Sequence, residues 1–224
     1  MAIGLAHMLG YKLPMNFNLP YLAPNLVEFW RRWHITLSSW LRDYLFFPLG
    51  GSRGGFWRTG RNLFIVMTLC GLWHGATWPF VIFGMIQAVL LILHRLFKQW
   101  CAQHARLDAF LQSTPGTILR VACTLAIFSF TLVFVRSPTM DIVFRMYERM
   151  FAFEPGLSVK IAQFSLLCTV LVVLGASLLC LKDRWAKMSQ RLPAPLLGMG
   201  YAAALTLALV LTPAAGKVFI YFQF

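Results

Sequence analysis

The feature that most constrains this chain is the length of its uncharged runs. From Asn62 to His94 stand 33 residues without Asp, Glu, Lys or Arg. As one helix rising ~1.5 Å per residue they would stretch to about 50 Å, too long for a single upright crossing of a hydrocarbon core of about 30 Å. The run must bend, tilt or break. Gly71, Gly75 and Pro79 put the predicted break around residues 72–79, between two apolar arms.

Three further runs have the length of single spans: the 21 uncharged residues between Lys160 and Lys182, residues 195–212 of the run between Arg191 and Lys217, and residues 116–135 with Arg120 snorkelling to the interface. Hydrophobic residues make up 59% of the chain and charged ones 12%, where an ordinary soluble domain carries roughly a quarter charged. With a mean hydropathy of +0.68, the expected fold is all-α: a polytopic transmembrane helical protein with an amphipathic interfacial helix and a broken or re-entrant membrane helix. The formal charge of +13 reads as membrane topology and contact with anionic lipid headgroups, not as nucleic-acid binding.

Loop charges orient the chain weakly. Arg95, Lys98 and Arg106 on one expected loop and Lys182, Arg184, Lys187 and Arg191 on another would be cytoplasmic, yet the expected external loop also carries Arg136, Arg145 and Arg149. Residues 1–9 are apolar but short, without a basic flank or a small-residue cleavage site, and are not read as a signal peptide. Cys70, Cys123, Cys168 and Cys180 lie in apolar runs and Cys101 in a basic loop. With no Cys-x-x-Cys pairing, neither a metal site nor a disulfide is expected.

Residues 25–61 differ from the rest. Asn25 caps a predicted helix with Glu28 three residues on, a capping-box arrangement. Trp30, Trp33, Leu37, Trp40 and Tyr44 then recur at spacings of three and four, predicting one amphipathic aromatic stripe suited to the headgroup level. Glu28 and Arg32 are spaced i, i+4, and Arg31 and Arg42 return to nearly the same angle. A plain interfacial anchor satisfies this pattern. His34, among Trp30, Trp33 and Leu37, is expected to be partly desolvated and so neutral near pH 7, either as a proton acceptor or as a structural donor.

Residues 50–61, Gly-Gly-Ser-Arg-Gly-Gly-Phe-Trp-Arg-Thr-Gly-Arg, lack the Gly-Lys-Ser/Thr of a phosphate-binding Walker loop. A basic connector and a contact for the phosphates of an acyl carrier both fit them. His74 is the strongest single candidate. It lies inside the longest uncharged run, flanked by Trp73 and Trp78, where the helix should be interrupted. A polar residue at such a break faces protein or a water-filled cavity and is a functional-site hypothesis by default.

The stretch Phe29-Trp30-Arg31-Arg32-Trp33-His34-Ile35-Thr36-Leu37-Ser38-Ser39-Trp40-Leu41-Arg42-Asp43-Tyr44, followed by Pro48-Leu49-Gly50-Gly51-Ser52-Arg53 and Gly71-Leu72-Trp73-His74-Gly75-Ala76, resembles the membrane-bound O-acyltransferases, in particular the alginate O-acetyltransferase type. Residues 1–6, 16–21 and 219–224 also resemble that group. The resemblance implies a polytopic enzyme of the bacterial inner membrane with two motif histidines, His34 and His74, the latter at the position assigned as catalytic. It implies an acyl thioester donor (acetyl-CoA or an acyl carrier), no bound cofactor or metal, and acetyl groups passed outward to an exported polysaccharide with a periplasmic partner. Arg31, Arg32, Trp33, Arg42, Asp43, Arg53, Asn62 and Trp73 are the expected substrate-binding residues, and each arginine also fits a solvated or headgroup-facing role.

The chain is expected to divide into a motif-bearing region at 1–97 and C-terminal membrane helices at 98–224, together an incomplete membrane domain. Relatives are about twice this length, so the chain resembles their C-terminal half. Where relatives often carry His-Gly, this chain has Gln87-Ala88. A covalent serine intermediate is not expected, since no acid accompanies His74 in its run. The competing readings are a transport protein whose broken helix lines a permeation path, a non-catalytic membrane scaffold, and an inactive truncated product.

Overall fold

The computed structural model describes residues 2–152 and 190–211, which fall in two compact units, 1–154 and 155–224. The expected span between Lys160 and Lys182, Cys168, Cys180, Lys182, Arg184, Lys187 and the closing residues 219–224 lie outside the described residues. Regular structure among the described residues is helical throughout.

The first unit contains α1 (Ala2–Met8), a 3-10 turn (Pro20–Leu22), α2 (Leu26–Arg32), α3 (Ile35–Leu41) and a π-helical turn (Arg42–Phe46). These are followed by α4 (Gly55–His74), α5 (Trp78–Cys101), α6 (Ala105–Gln112), α7 (Thr114–Arg136) and α8 (Met140–Ala152). In the second unit α9 (Ala194–Leu211) coincides with the span expected at 195–212, with Pro195 in the first turn, where its missing N–H costs nothing.

The long uncharged run breaks where expected. Helix α4 stops at His74 and α5 starts at Trp78, with Pro79 in its first turn. The arms fold back on each other as an antiparallel hairpin: Gly71 lies against Phe80 and Gly84, Gly84 against Met67, and Gly60 against Ile92. The contact is backbone to backbone, since a Cβ at Gly71 or Gly84 would run into a main-chain carbonyl of the opposite arm. Small residues are what allow helices in an apolar medium to approach this closely. The arms reach past the uncharged run at both ends, to about 30 and 36 Å. Arg95 and Lys98 therefore ride on α5 instead of a loop, and Cys101 is its buried last residue. Cys70 is also buried, and Cys123 is exposed on α7.

Helices α5 and α7 are each long and apolar enough to cross a membrane. Ser113 closes α6 and opens α7, its Oγ accepting from the Gly116 amide at 3.3 Å. The segment of Arg136, Arg145 and Arg149, expected as a loop, is mostly helix α8. It is tied back where Val143 is fully buried and the Tyr147 hydroxyl donates to the Phe130 carbonyl at 2.8 Å.

A third expectation also fails. Residues 25–44 do not form a single amphipathic helix. The N-terminal half is as expected: the Asn25 side chain accepts from the Glu28 amide at 2.9 Å, and the Glu28 carboxylate pairs with Arg31 at 2.7 Å and Arg32 at 3.8 Å. At His34, however, the backbone turns left-handed, with φ 45° and ψ 52°, and α3 leaves in a new direction. The aromatic stripe is thereby divided. Trp30 and Trp33 face the core, while Trp40 and Tyr44 stack on each other at 5.5 Å on the exposed side.

The break is stabilised by a segment far away in sequence. Asn16 accepts from the Ile35 amide through its carbonyl at 2.9 Å, and from the Thr36 amide and hydroxyl through Oδ1 at 3.0 Å each. The Asn18 amide donates to the Arg32 carbonyl at 2.9 Å. The backbone groups freed at the interruption are thus satisfied from one strap, which removes the main penalty for breaking the helix.

The core forms where α2, α5 and α7 meet. Phe128 of α7 is 2% exposed, with the Phe29 ring 3.9 Å away and Phe83, Trp30 and Trp33 around it. A second cluster of Leu41, Val66 and Cys70 seats α3 on α4. These two contacts carry the α2–α3 break to the tip of the α4–α5 hairpin.

Candidate active site

The two motif histidines meet. Their ring centroids are 5.9 Å apart, with the planes inclined at 58°. His34 is presented by the left-handed turn between α2 and α3, and His74 is the last residue of α4. Forty residues of sequence separate them, and it is the pair of core contacts just described that brings them together.

Aromatic rings surround the pair. Phe17 and Trp33 present edge-on contacts to His34 at 4.9 and 5.6 Å, and Trp33 is itself stacked on Phe29 at 5.6 Å. Trp73 stands edge-on to His74 at 4.9 Å, and Phe80 lies nearly parallel to it at 6.4 Å. A side chain on Gly75 would strike the Phe80 ring, so this glycine admits that ring beside His74. Both histidines are half-buried and Trp73 is 53% exposed, which leaves the pair approachable on the Trp73 side. Partial burial holds the His34 imidazole below its ordinary pKa, so the neutral ring is favoured.

The other expected binding residues fall into two groups. Arg31 and Arg32 share Glu28 on the outer face of α2, and Arg42 donates Nε to Asp43 at 2.7 Å in the π-helical turn. That hydrogen bond holds the Asp43 carboxyl below its usual range and raises the Arg42 guanidinium. Arg53 and Asn62 lie toward the far end of α4, with Asn62 twelve residues before His74, or about 18 Å along the helix. The structure therefore gathers His34, His74, Trp33 and Trp73, and does not bring Arg53 or Asn62 to them.

Sequence reasoning missed three contributors. Asn16 fixes the break that presents His34, and Phe17 packs on its ring. Gln87 is fully buried, accepts from the Trp30 indole N–H at 3.3 Å and donates to the Thr131 hydroxyl at 2.8 Å, joining α2, α5 and α7. A lone polar side chain in an otherwise apolar run was the available signal for Gln87. For Asn16 the only signal was the resemblance of residues 16–21 to the family, which says nothing of partners about twenty residues on.

Residues 1–135 match the membrane-bound O-acyltransferase (MBOAT) family. The chain belongs to this family. Its helical, membrane-embedded character agrees with the two apolar helices α5 and α7. Among relatives of this MBOAT chain, the probable alginate O-acetylase AlgI of Azotobacter vinelandii is 44% identical over 158 residues, which are 68% of this chain and 29% of that protein. The peptidoglycan O-acetyltransferase of Helicobacter pylori is 49% identical over 98 residues, 44% of this chain and 19% of the relative. The teichoic acid D-alanyltransferase of Bacillus subtilis is 35% identical over 111 residues, 44% of this chain and 27% of the relative. The chain thus spans less than a third of each of these curated relatives in its matched region. All the residues of the histidine pair and its aromatic surround lie within the family match.

Proposed function

We propose that this MBOAT chain carries the acyl-transfer centre of an enzyme of the bacterial inner membrane, one that moves an acetyl group from a thioester to hydroxyls of an exported, alginate-like polysaccharide. The observation that carries the reading is the His34–His74 pair at the hairpin tip. The similarity to proteins named as O-acetylases and O-acetyltransferases gives the reaction class.

In this mechanism His74 is the general base. Its neutral imidazole takes the proton from the acceptor hydroxyl as that oxygen adds to the thioester carbonyl carbon. The tetrahedral adduct then collapses: the new C–O ester bond remains, the C–S bond breaks, and the departing thiolate takes the proton back from the His74 imidazolium. His34, whose ring lies 5.9 Å from that of His74 between centroids, orients the acceptor or hydrogen-bonds the developing oxyanion. Trp33, stacked on Phe29, walls the site on its core side, Trp73 stands beside its open side, and Arg31, Arg32, Arg42 and Asp43 stand toward the headgroup level as donor contacts. A periplasmic acetyltransferase or export partner would receive the acetyl group.

The test is acetyl incorporation into polysaccharide by the complete protein carrying His74→Ala, with donor and partner supplied. Incorporation at the wild-type rate overturns the assignment. Flux of the donor's label without bond exchange would favour a transporter instead.

A further inference from the structure

Helix α3 begins on a residue that does not cap it. The N-cap position belongs to His34, whose side chain makes no capping hydrogen bond, whereas Ser, Thr, Asp or Asn there would accept from the first-turn amides. The cap comes from Asn16, far upstream. Its carbonyl accepts from the Ile35 N–H at 2.9 Å, and its Oδ1 accepts from the Thr36 N–H and the Thr36 hydroxyl at 3.0 Å each. The first two amides of α3 are thus satisfied by a residue outside the helix.

The substitution of one cap for another decides where the imidazole points. A capping side chain folds back over the first turn of its own helix, whereas the His34 ring is turned to His74, 5.9 Å away between centroids. The neighbours of Asn16 hold the same corner from other sides. Phe17 meets the His34 ring at 4.9 Å and the Trp33 ring at 5.0 Å, and the Asn18 amide donates to the Arg32 carbonyl at 2.9 Å. A left-handed backbone at a residue with a Cβ persists only where its surroundings over-determine it. At His34, with φ 45°, residues 16–18 supply that constraint.

We infer that Asn16 is a positioning residue for acyl transfer: by capping α3 in place of His34, it holds the left-handed turn that aims the His34 ring at His74. Its effect on rate rests on the acyl-transfer reading above, and its effect on the ring rests on the geometry alone. Asn16 acts here only as an acceptor, through Oδ1 and through the main chain. Asn16→Ala therefore removes the side-chain bonds to Thr36 and keeps the carbonyl bond to Ile35, while Asn16→Asp keeps every acceptor. Loss of a side-chain cap shifts the population of a capped turn by roughly two- to thirtyfold.

The test combines acetyl incorporation by the complete protein with NMR titration of isotope-labelled histidine in the absence of donor, the His34 signal being assigned by its loss in His34→Asn. Asn16→Ala should lower kcat by roughly two- to thirtyfold with KM for the donor unchanged. Asn16→Asp, assayed at pH 8 so that the new carboxylate does not charge the ring, should restore most of the rate. In a His34→Asn background Asn16→Ala should add little further loss, since a residue that acts through His34 then has no ring to aim. The His34 titration, held low by partial burial in the wild type, should rise toward the ordinary histidine value in Asn16→Ala as the turn opens to water. Unchanged kcat in Asn16→Ala overturns the inference, as does an equal fractional loss in the His34→Asn background, the mark of a residue that only stabilises the fold. Should Asn16→Ala fail to fold, Thr36→Val removes the hydroxyl donor alone and should show a smaller fall in kcat, and no fall overturns the inference. The titration needs no turnover: if the wild type transfers no acetyl group, the acyl-transfer reading fails while a shifted His34 titration still supports the positioning, and an unshifted one refutes it.

Discussion

His34 and His74 face each other at 5.9 Å between ring centroids, one held in a left-handed turn and the other closing α4. Neither element alone makes a site. α2 and α3 meet in an aromatic interfacial corner, and the α4–α5 hairpin ends in an ordinary glycine-proline turn. Docked through Phe29, Phe128 and the Leu41 cluster, they form an approachable pair of imidazoles bounded by aromatic rings.

The two rings should not be equivalent. His74→Ala in the complete protein is expected to lower acetyl incorporation by about 10²–10⁴-fold, the usual range for a lost general base. His34→Asn keeps a residue that tolerates the left-handed backbone while removing the ring, so a smaller loss, seen mainly in kcat, is expected. Steady-state rates with a labelled donor check both. A His34→Asn enzyme as inactive as His74→Ala would reverse the roles.

Acid should destabilise the fold through His34. Burial holds its pKa below the ordinary 6.5, so as pH falls through that value the unfolded chain takes up a proton that the folded chain resists. Stability is therefore full above the ordinary histidine range and declines beneath it until the depressed folded value is passed. Thermal midpoints between pH 7.5 and 5 should fall less steeply for His34→Asn than for wild type.

The hairpin should tolerate a methyl group at one glycine and not at another. Gly71→Ala drives a Cβ into the Phe80 carbonyl and the Gly84 backbone, neither of which can rotate away. A loss of about 1–3 kcal/mol is expected from this overpacking. Gly60→Ala meets only Ile92 Cδ1 at 3.6 Å, an ordinary contact, and should be near neutral. Unfolding in detergent, followed by tryptophan fluorescence, compares the two.

Gln87→Leu should cost stability although it makes the core more apolar. The substitution strands the Trp30 indole N–H and removes the donor to Thr131 in a fully buried place, a penalty of about 1–3 kcal/mol. Because Trp30 belongs to the helix leading to His34, incorporation should also fall. A variant with full stability and full activity would show that the bridge holds nothing in place.

The uncharged runs, the glycine-proline punctuation and the Asn25 cap set by themselves the helical class, the break between His74 and Trp78, the extent of α7 and α9, and the two histidines worth following. These features are local: each depends on hydropathy or backbone chemistry within a few turns. Tertiary structure alone decided that residues 25–44 split at His34, because the groups that satisfy the broken backbone lie on Asn16, which accepts from it, and Asn18, which donates to it. It also decided that Arg53 and Asn62 belong to the far end of α4, and that Gln87 bridges three helices. Periodicity assigns a face to each residue but says nothing of which face another helix will cover. The pairing of His34 with His74 depends on that covering, and so does whatever chemistry the pair performs.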